Sequence, residues 1–163
     1  MSASEAELVA QLTTIKTAGN ALYAVKDYPA AAAAYSPAMR LMPDLDEEEA
    51  GMALRQVCAV LFCNRSAARF AEKKYVASLS DAQRAEEYNA DFWKVHWRAG
   101  NALLWMEPRV ERSEQMIQCF TKCLASPTLP EKEKAEKEKY LDNAKHRLRT
   151  GKDKYEAAEC AIS

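Results

Sequence analysis

Glycine and proline are scarce, with 4 and 6 copies among 163 residues. A chain with so few breakers has little room for the turn-dense layout of a β-sandwich or barrel. Cysteine is few and odd in number: Cys58, Cys63, Cys119, Cys123 and Cys160, with no Cys-x-x-Cys pair. That excludes a disulfide framework and points to a reducing compartment. Cys119 and Cys123 share a helix face, but two thiols with no histidine nearby make a poor metal site. The two histidines, His96 and His146, stand far apart, and no Ser/His/Asp or Cys/His set forms around either. No catalytic activity, metal or cofactor is therefore expected, and His96 reads as a packing residue. No window approaches the roughly 20 apolar residues of a membrane span. The opening MSASEAELVAQL carries acids and no basic region, unlike a signal peptide. Formal net charge is −1, so no global field favours nucleic acid or a lipid surface. The expectation is a cytoplasmic protein, with neither nucleic acid nor membrane as partner.

What the chain does contain is helix-forming sequence. Hydrophobic residues make up 48% and charged residues 29%, enough apolar material for one domain with a core. Apolar residues recur at helical spacing almost from end to end, and strand signals are nearly absent. The periodicity predicts helices over about 4–26, 29–43, 44–73, 75–88, 91–106, 110–125 and 130–161. Pro29 suits the first turn of the second, and the acidic run Asp44 to Glu49 suits the start of the third. Pro37 falls inside the second helix and removes one backbone bond, so a kink or a tolerated surface proline is expected there. The last segment, EKEKAEKEK and onward, places Glu and Lys at helical spacing on a solvated face.

The segments repeat. AGNALYAVKDYPAAAAAYSPAMRLMP aligns with NRSAARFAEKKYVASLSDAQRAEEYNAD, and RAGNALLWMEP opens a third copy. Ser66 and Gly100 are 34 residues apart; Gly19 and Ser66 are 47 apart, which is one period plus 13 inserted residues. A period of 34 in helix-turn-helix units is the tetratricopeptide spacing. Gly19, Ala31, Tyr35, Ala38 and Pro43 fill that family's repeat positions in the first unit. Ser66, Ser78, Ala82 and Ala85 fill them in the second, where Ala90 stands for the closing proline. In the third unit Gly100 is followed by Phe120 and Cys123 after about four extra residues. The chain thus resembles a tetratricopeptide domain. The resemblance implies an all-α solenoid, one domain over 1–163, with repeats at about 12–43, 59–90 and 93–127 and a capping helix at about 130–161. No single helix pair here can bury its apolar face, whereas stacking three buries a continuous seam and lines a concave surface with the first helix of each pair.

The residues that the resemblance places on that surface form a pattern. Unit one gives Lys16 and Asn20, with Tyr23 beside them; unit two gives Asn64, with Ala67 on the wall; unit three gives Lys94 and Arg98. Each i, i+4 pair projects from one helix face. An isolated lysine on a helix is ordinarily just solvated, but these five polar positions occur together in IKTAGN, CNRSAA and WKVHWR. In that order and spacing they resemble the two-carboxylate clamp of chaperone-adaptor tetratricopeptide domains. Arg69, read as one turn beyond Asn64, is either a further cation on the peptide path or a plain surface residue, and Trp97 reads as helix packing with a second candidate place at the groove border.

That resemblance implies a partner: the C-terminal Glu-Glu-Val-Asp tail of the cytosolic seventy- and ninety-kilodalton heat-shock chaperones. A terminal Asp carries two carboxylates, and three cations answer them with charge-assisted bonds of roughly 1.5–3 kcal/mol each. Micromolar affinity, about −8 kcal/mol, is expected. Tyr23 lies where the side chain upstream of the acids should pass, which predicts a preference of less than tenfold for the Met-Glu-Glu-Val-Asp tail. Two other roles fit the same pattern: a general protein-interaction scaffold, and the targeting domain of a larger enzyme such as a peptidyl-prolyl isomerase or phosphatase.

Overall fold

A computed structural model describes residues 3–42, 51–107 and 109–151. Seven helices succeed one another: α1 (Ala3–Ala24), α2 (Tyr28–Leu41), α3 (Met52–Ala71), α4 (Tyr75–Tyr88), α5 (Trp93–Leu104), α6 (Val110–Ala125) and α7 (Glu131–Thr150). No strand occurs among the described residues. The predicted α4 and α6 match at both ends, and the other ends that fall on described residues differ by a few residues. The acidic run before α3 lies outside the described residues. α2 continues through an exposed Pro37, as the milder of the two expectations had it.

α1 packs on α2, α3 on α4 and α5 on α6. α3 also touches both α1 and α5, so the first helices of the pairs make a contiguous inner layer. Each pair crosses at the position that the repeat marks with a small residue. Any side chain on Gly19 would collide with the Tyr35 ring, and any on Gly100 with the Phe120 ring. In the middle pair the balance is reversed. Ser66 is buried, its hydroxyl bonds the Ser78 carbonyl at 2.8 Å and the Ser78 hydroxyl lies at 2.9 Å; the position matching the rings is Ala82. The crossing admits a ring only where the facing residue is glycine; where serine faces alanine, the hydroxyl is spent on Ser78 instead.

The turns repeat as well. Lys26 at φ 63° and Lys73 at φ 61° occupy the same place in their units, and both are left-handed without being glycine. The two turns differ at the next residue. Asp27 caps α2 by accepting the Ala30 N–H at 3.1 Å. Lys74 stands at the equivalent place before α4 and makes no side-chain cap bond.

Leu12, Tyr35, Leu61 and Val95 anchor a core that runs through the first two units and into α5. Leu103, Met116, Phe120, Tyr140 and Ala144 anchor a second beneath α7. The capping helix therefore closes the third pair, with Ala144 buried and Leu141 packed against that core. Arg147 adds a polar tie: it donates to the carbonyls of Leu104 at 2.7 Å and Met106 at 3.3 Å, groups that the end of α5 leaves without helical partners. Buried Lys137 lies 4.0 Å from the centroid of Trp97 and pairs with Glu133 and Glu136 at 3.1 Å. Trp97 itself packs on Phe120 and Tyr140, with centroids 5.6 and 4.5 Å away. Its candidate place at the groove border is thereby replaced by a core role. α7 runs to Thr150, where Gly151 takes φ 71° as a left-handed cap; the expected continuation to 161 lies outside the described residues. No helix of the described residues is long and apolar enough to cross a membrane.

Candidate functional site

Three helices of the inner layer converge on a cavity of about 150 Å³ lined by Asn20, Tyr23, Ala24, Tyr35, Asn64, Ala67 and Arg98. Five of the eight side chains singled out in the sequence line it. Lys16 and Lys94 stand one turn before Asn20 and Arg98 on their helices; Lys16 is half-buried and Lys94 exposed. The Nζ of Lys94 lies 5.7 Å from the centroid of Trp93. The charges of Lys94 and Arg98 both act on the Cys63 thiol, the residue before Asn64, which places α5 against α3 at this point. Burial holds that thiol above its usual pKa, and the two cations oppose the rise.

The centre of the cavity is an amide network. The Oδ1 of Asn20 accepts from the Tyr35 hydroxyl at 2.7 Å and from the Nδ2 of Asn64 at 2.9 Å. With both lone pairs engaged, Asn20 offers the cavity its Nδ2–H donors. Tyr35 holds this arrangement from α2. Burial pushes its hydroxyl up to about 12, with Tyr23 adding to the rise and Asn64 working against it, so it stays protonated and donating at neutral pH. Sequence reasoning took Tyr35 only as a packing position of the repeat; nothing in a helix periodicity shows that its hydroxyl spans to α1. Tyr23 does two things at once. It packs edge-on against Tyr28, with centroids 5.2 Å apart, and lines the cavity. Ala67 supplies a small wall that leaves the space open.

Charge in the cavity is unbalanced. The Nε of Arg98 is buried with no hydrogen-bond partner, and its charge acts on the Cys63 thiol. Among the described residues none of Lys16, Lys94 and Arg98 has a carboxylate partner. Arg69 does not join the set. Five residues beyond Asn64 is about 140° around the helix, and Arg69 turns to α4, where it meets Asp81 at 2.9 Å. Arg65 reaches the same carboxylate with two bonds, at 2.9 and 2.7 Å. The expectation of a groove cation at Arg69 is corrected accordingly. His96, as expected, is buried, with Nε2 2.7 Å from the Ala90 carbonyl.

No family model matches the chain. Two curated proteins share part of it. One is the Drosophila melanogaster "DNA polymerase interacting tetratricopeptide repeat-containing, protein of 47 kDa", 47% identical over 62 residues, which is 38% of this chain and 15% of that protein. The other is human "Protein unc-45 homolog B", 33% identical over 89 residues, 55% of this chain and 8% of that protein. The matches thus span only a small part of either relative. Among solved structures, the C-terminal TPR-containing domain of a Plasmodium falciparum FK506-binding protein superposes with a TM-score of 0.70 at 14% identity, covering 90% of this chain and 94% of that one. The Sgt2 TPR domain of Aspergillus fumigatus gives 0.66 at 18% identity, covering 91% and 93%. The architecture is therefore that of a tetratricopeptide solenoid: three helix pairs and a capping helix.

Proposed function

We propose that this chain is a non-catalytic peptide-binding module that captures the C-terminal Glu-Glu-Val-Asp tail of cytosolic heat-shock chaperones, and that it works in the cytoplasm. The observation that carries the reading is the set of uncompensated cations, Lys16, Lys94 and Arg98, around the Asn20–Asn64 amide pair. A terminal aspartate brings two carboxylates on one residue. Three cations supply the charge, and Asn20, with its oxygen already engaged, supplies directional N–H donors. Capture of a terminal carboxylate is a recurring way to bind peptides. The likeness to tetratricopeptide domains supports an interaction module of this kind. The fly relative's name, which gives it a DNA polymerase as partner, supports a broader scaffold reading in which the bound surface is another protein.

Calorimetric titration with a peptide ending in Met-Glu-Glu-Val-Asp tests it. Micromolar binding is expected, and it should disappear when the C-terminal carboxylate is converted to an amide. Undiminished binding of the amide overturns the clamp and leaves the scaffold reading.

A further inference from the structure

The α3–α4 and α5–α6 turns lie side by side at one end of the inner layer and enclose a second, larger depression of about 560 Å³. Its wall is aromatic. Tyr75 stacks on Trp105 with centroids 6.1 Å apart, and Phe70 packs edge-on to both, at 5.4 and 6.4 Å. Val76, beside them, is 73% exposed, a large apolar side chain left in water. Trp105 is seven residues after Arg98, two turns along the same face of α5 or about 10 Å. The depression is therefore a separate site beyond the first cavity.

Its rim is basic where helix chemistry asks for the opposite. Lys73 and Lys74 line it at the start of α4. A helix start favours an acid or a capping oxygen, and forgoing the cap gives up about 1 kcal/mol. The first unit obeys that rule with Asp27 and the second breaks it. α6 keeps an acid, Glu111, in its first turn, but Arg109 stands at its cap position without a side-chain bond and Arg112 lines the depression, donating to the Glu107 carbonyl at 2.7 Å. Two acids lie close by. Glu72 pairs with Lys74 at 2.6 Å, and Glu107, on the lining itself, pairs with Arg109 at 3.7 Å. Lys73 has no ion pair among the described residues. Lys73, Lys74 and Arg112 against Glu107 leave the lining with more cation than acid.

We infer that this depression is a docking surface for an extended acidic segment of a partner protein. One large apolar side chain of that segment lies against Trp105 and Val76, while its carboxylates meet Lys73, Lys74 and the open N–H groups at the start of α4. Charge complementarity selects the acidic chain, and the aromatic wall selects the apolar residue. The surface acts independently of the carboxylate-binding cavity.

The test uses the full chain and the doubly blocked peptide acetyl-Asp-Glu-Trp-Glu-Asp-amide, which has no terminal carboxylate to enter the first cavity. Titration followed by amide NMR should shift Tyr75, Val76, Ala77 and the Trp105 indole. The Lys73→Glu, Lys74→Glu double variant, altered only at exposed side chains, should bind about tenfold more weakly. Arg98→Ala should bind as the parent does. Trp105→Ala should also lose binding, but it removes packing, so the lysine variant decides. The inference is overturned by the absence of shifts at millimolar peptide, by shifts centred on Asn20 and Asn64, or by equal binding of a peptide with lysines in place of the acids. Tighter binding of a short oligothymidylate at the same residues would overturn it in favour of a nucleic-acid surface.

Discussion

Arg65 and Arg98 sit on neighbouring helices of the inner layer and are in opposite states. Arg65 is held by both oxygens of buried Asp81, which also binds Arg69. Arg98 has a buried Nε without an acceptor and, among the described residues, no carboxylate partner. The same side-chain chemistry thus serves the fold in one place and stays available in the other. The deciding feature is whether the facing helix brings an acid. α4 brings Asp81 to α3, and no helix among the described residues brings one to the cavity.

The comparison breaks most sharply at Asp81. Asp81→Ala strands two guanidinium groups against α4 and should cost about 3 kcal/mol. For a domain of this size that lowers the melting temperature by several degrees. Urea unfolding measures it, and an unchanged midpoint would show that the two arginines simply turn to solvent. The variant should bind Glu-Glu-Val-Asp peptides as the parent does wherever it is folded.

Arg98→Ala should show the reverse. Peptide affinity falls by at least about 1.5 kcal/mol, the size of one charge-assisted bond. Stability holds or rises slightly, because an unsatisfied buried donor is removed. Calorimetry beside a thermal melt separates the two effects, and a melt that falls as far as the affinity would place Arg98 with Arg65. Lys16→Ala should behave as Arg98→Ala does.

Tyr35→Phe sharpens the comparison between charge and orientation. It keeps the ring against Gly19 and removes only the bond to Asn20, so about 1 kcal/mol of peptide affinity should go. Unchanged affinity would mean that Asn64 alone holds the amide. The raised pKa of Tyr35 has a stability consequence of its own. The folded value of about 12 lies above the ordinary 10.0, so the unfolded chain releases this proton first and stability falls as pH rises between those values. Alkaline melts of Tyr35→Phe should lack that share of the loss.

The smallest expected effect is at Tyr23. Because its ring contacts Tyr28 as well as the cavity, Tyr23→Leu should change the ratio of affinities for peptides ending in Met-Glu-Glu-Val-Asp and Ile-Glu-Glu-Val-Asp by less than tenfold, below about 1.4 kcal/mol. Calorimetry on both peptides decides it; an unchanged ratio confines Tyr23 to packing within its own repeat.

Much of this was legible in the chain because the repeat fixes register. Once Gly19, Ser66 and Gly100 align, the inner faces of α1, α3 and α5 are determined, and with them the grouping of Asn20, Asn64 and Arg98. What stayed hidden depends on the second helix of a pair. Tyr35 and Asp81 reach the inner layer from α2 and α4, and no pattern within one helix reports such a crossing. Arg69 was misplaced by reading five residues as one turn. The left-handed cap at Gly151 was legible as an ordinary stop signal, but the dense Glu/Lys pattern before it reads as uninterrupted helix.

The uncompensated cations also bear on how quickly a ligand arrives. The chain as a whole is almost neutral, at −1, so the field that an acidic peptide meets near the cavity is set by Lys16, Lys94 and Arg98 rather than by the molecule's total charge. Such a local field steers encounter without adding contact area, and it fades beyond a Debye length of about 8 Å at physiological salt. Raising the ionic strength should therefore slow association far more than it hastens dissociation. Under the proposed function, an acidic tail bound at micromolar affinity would arrive quickly and leave quickly.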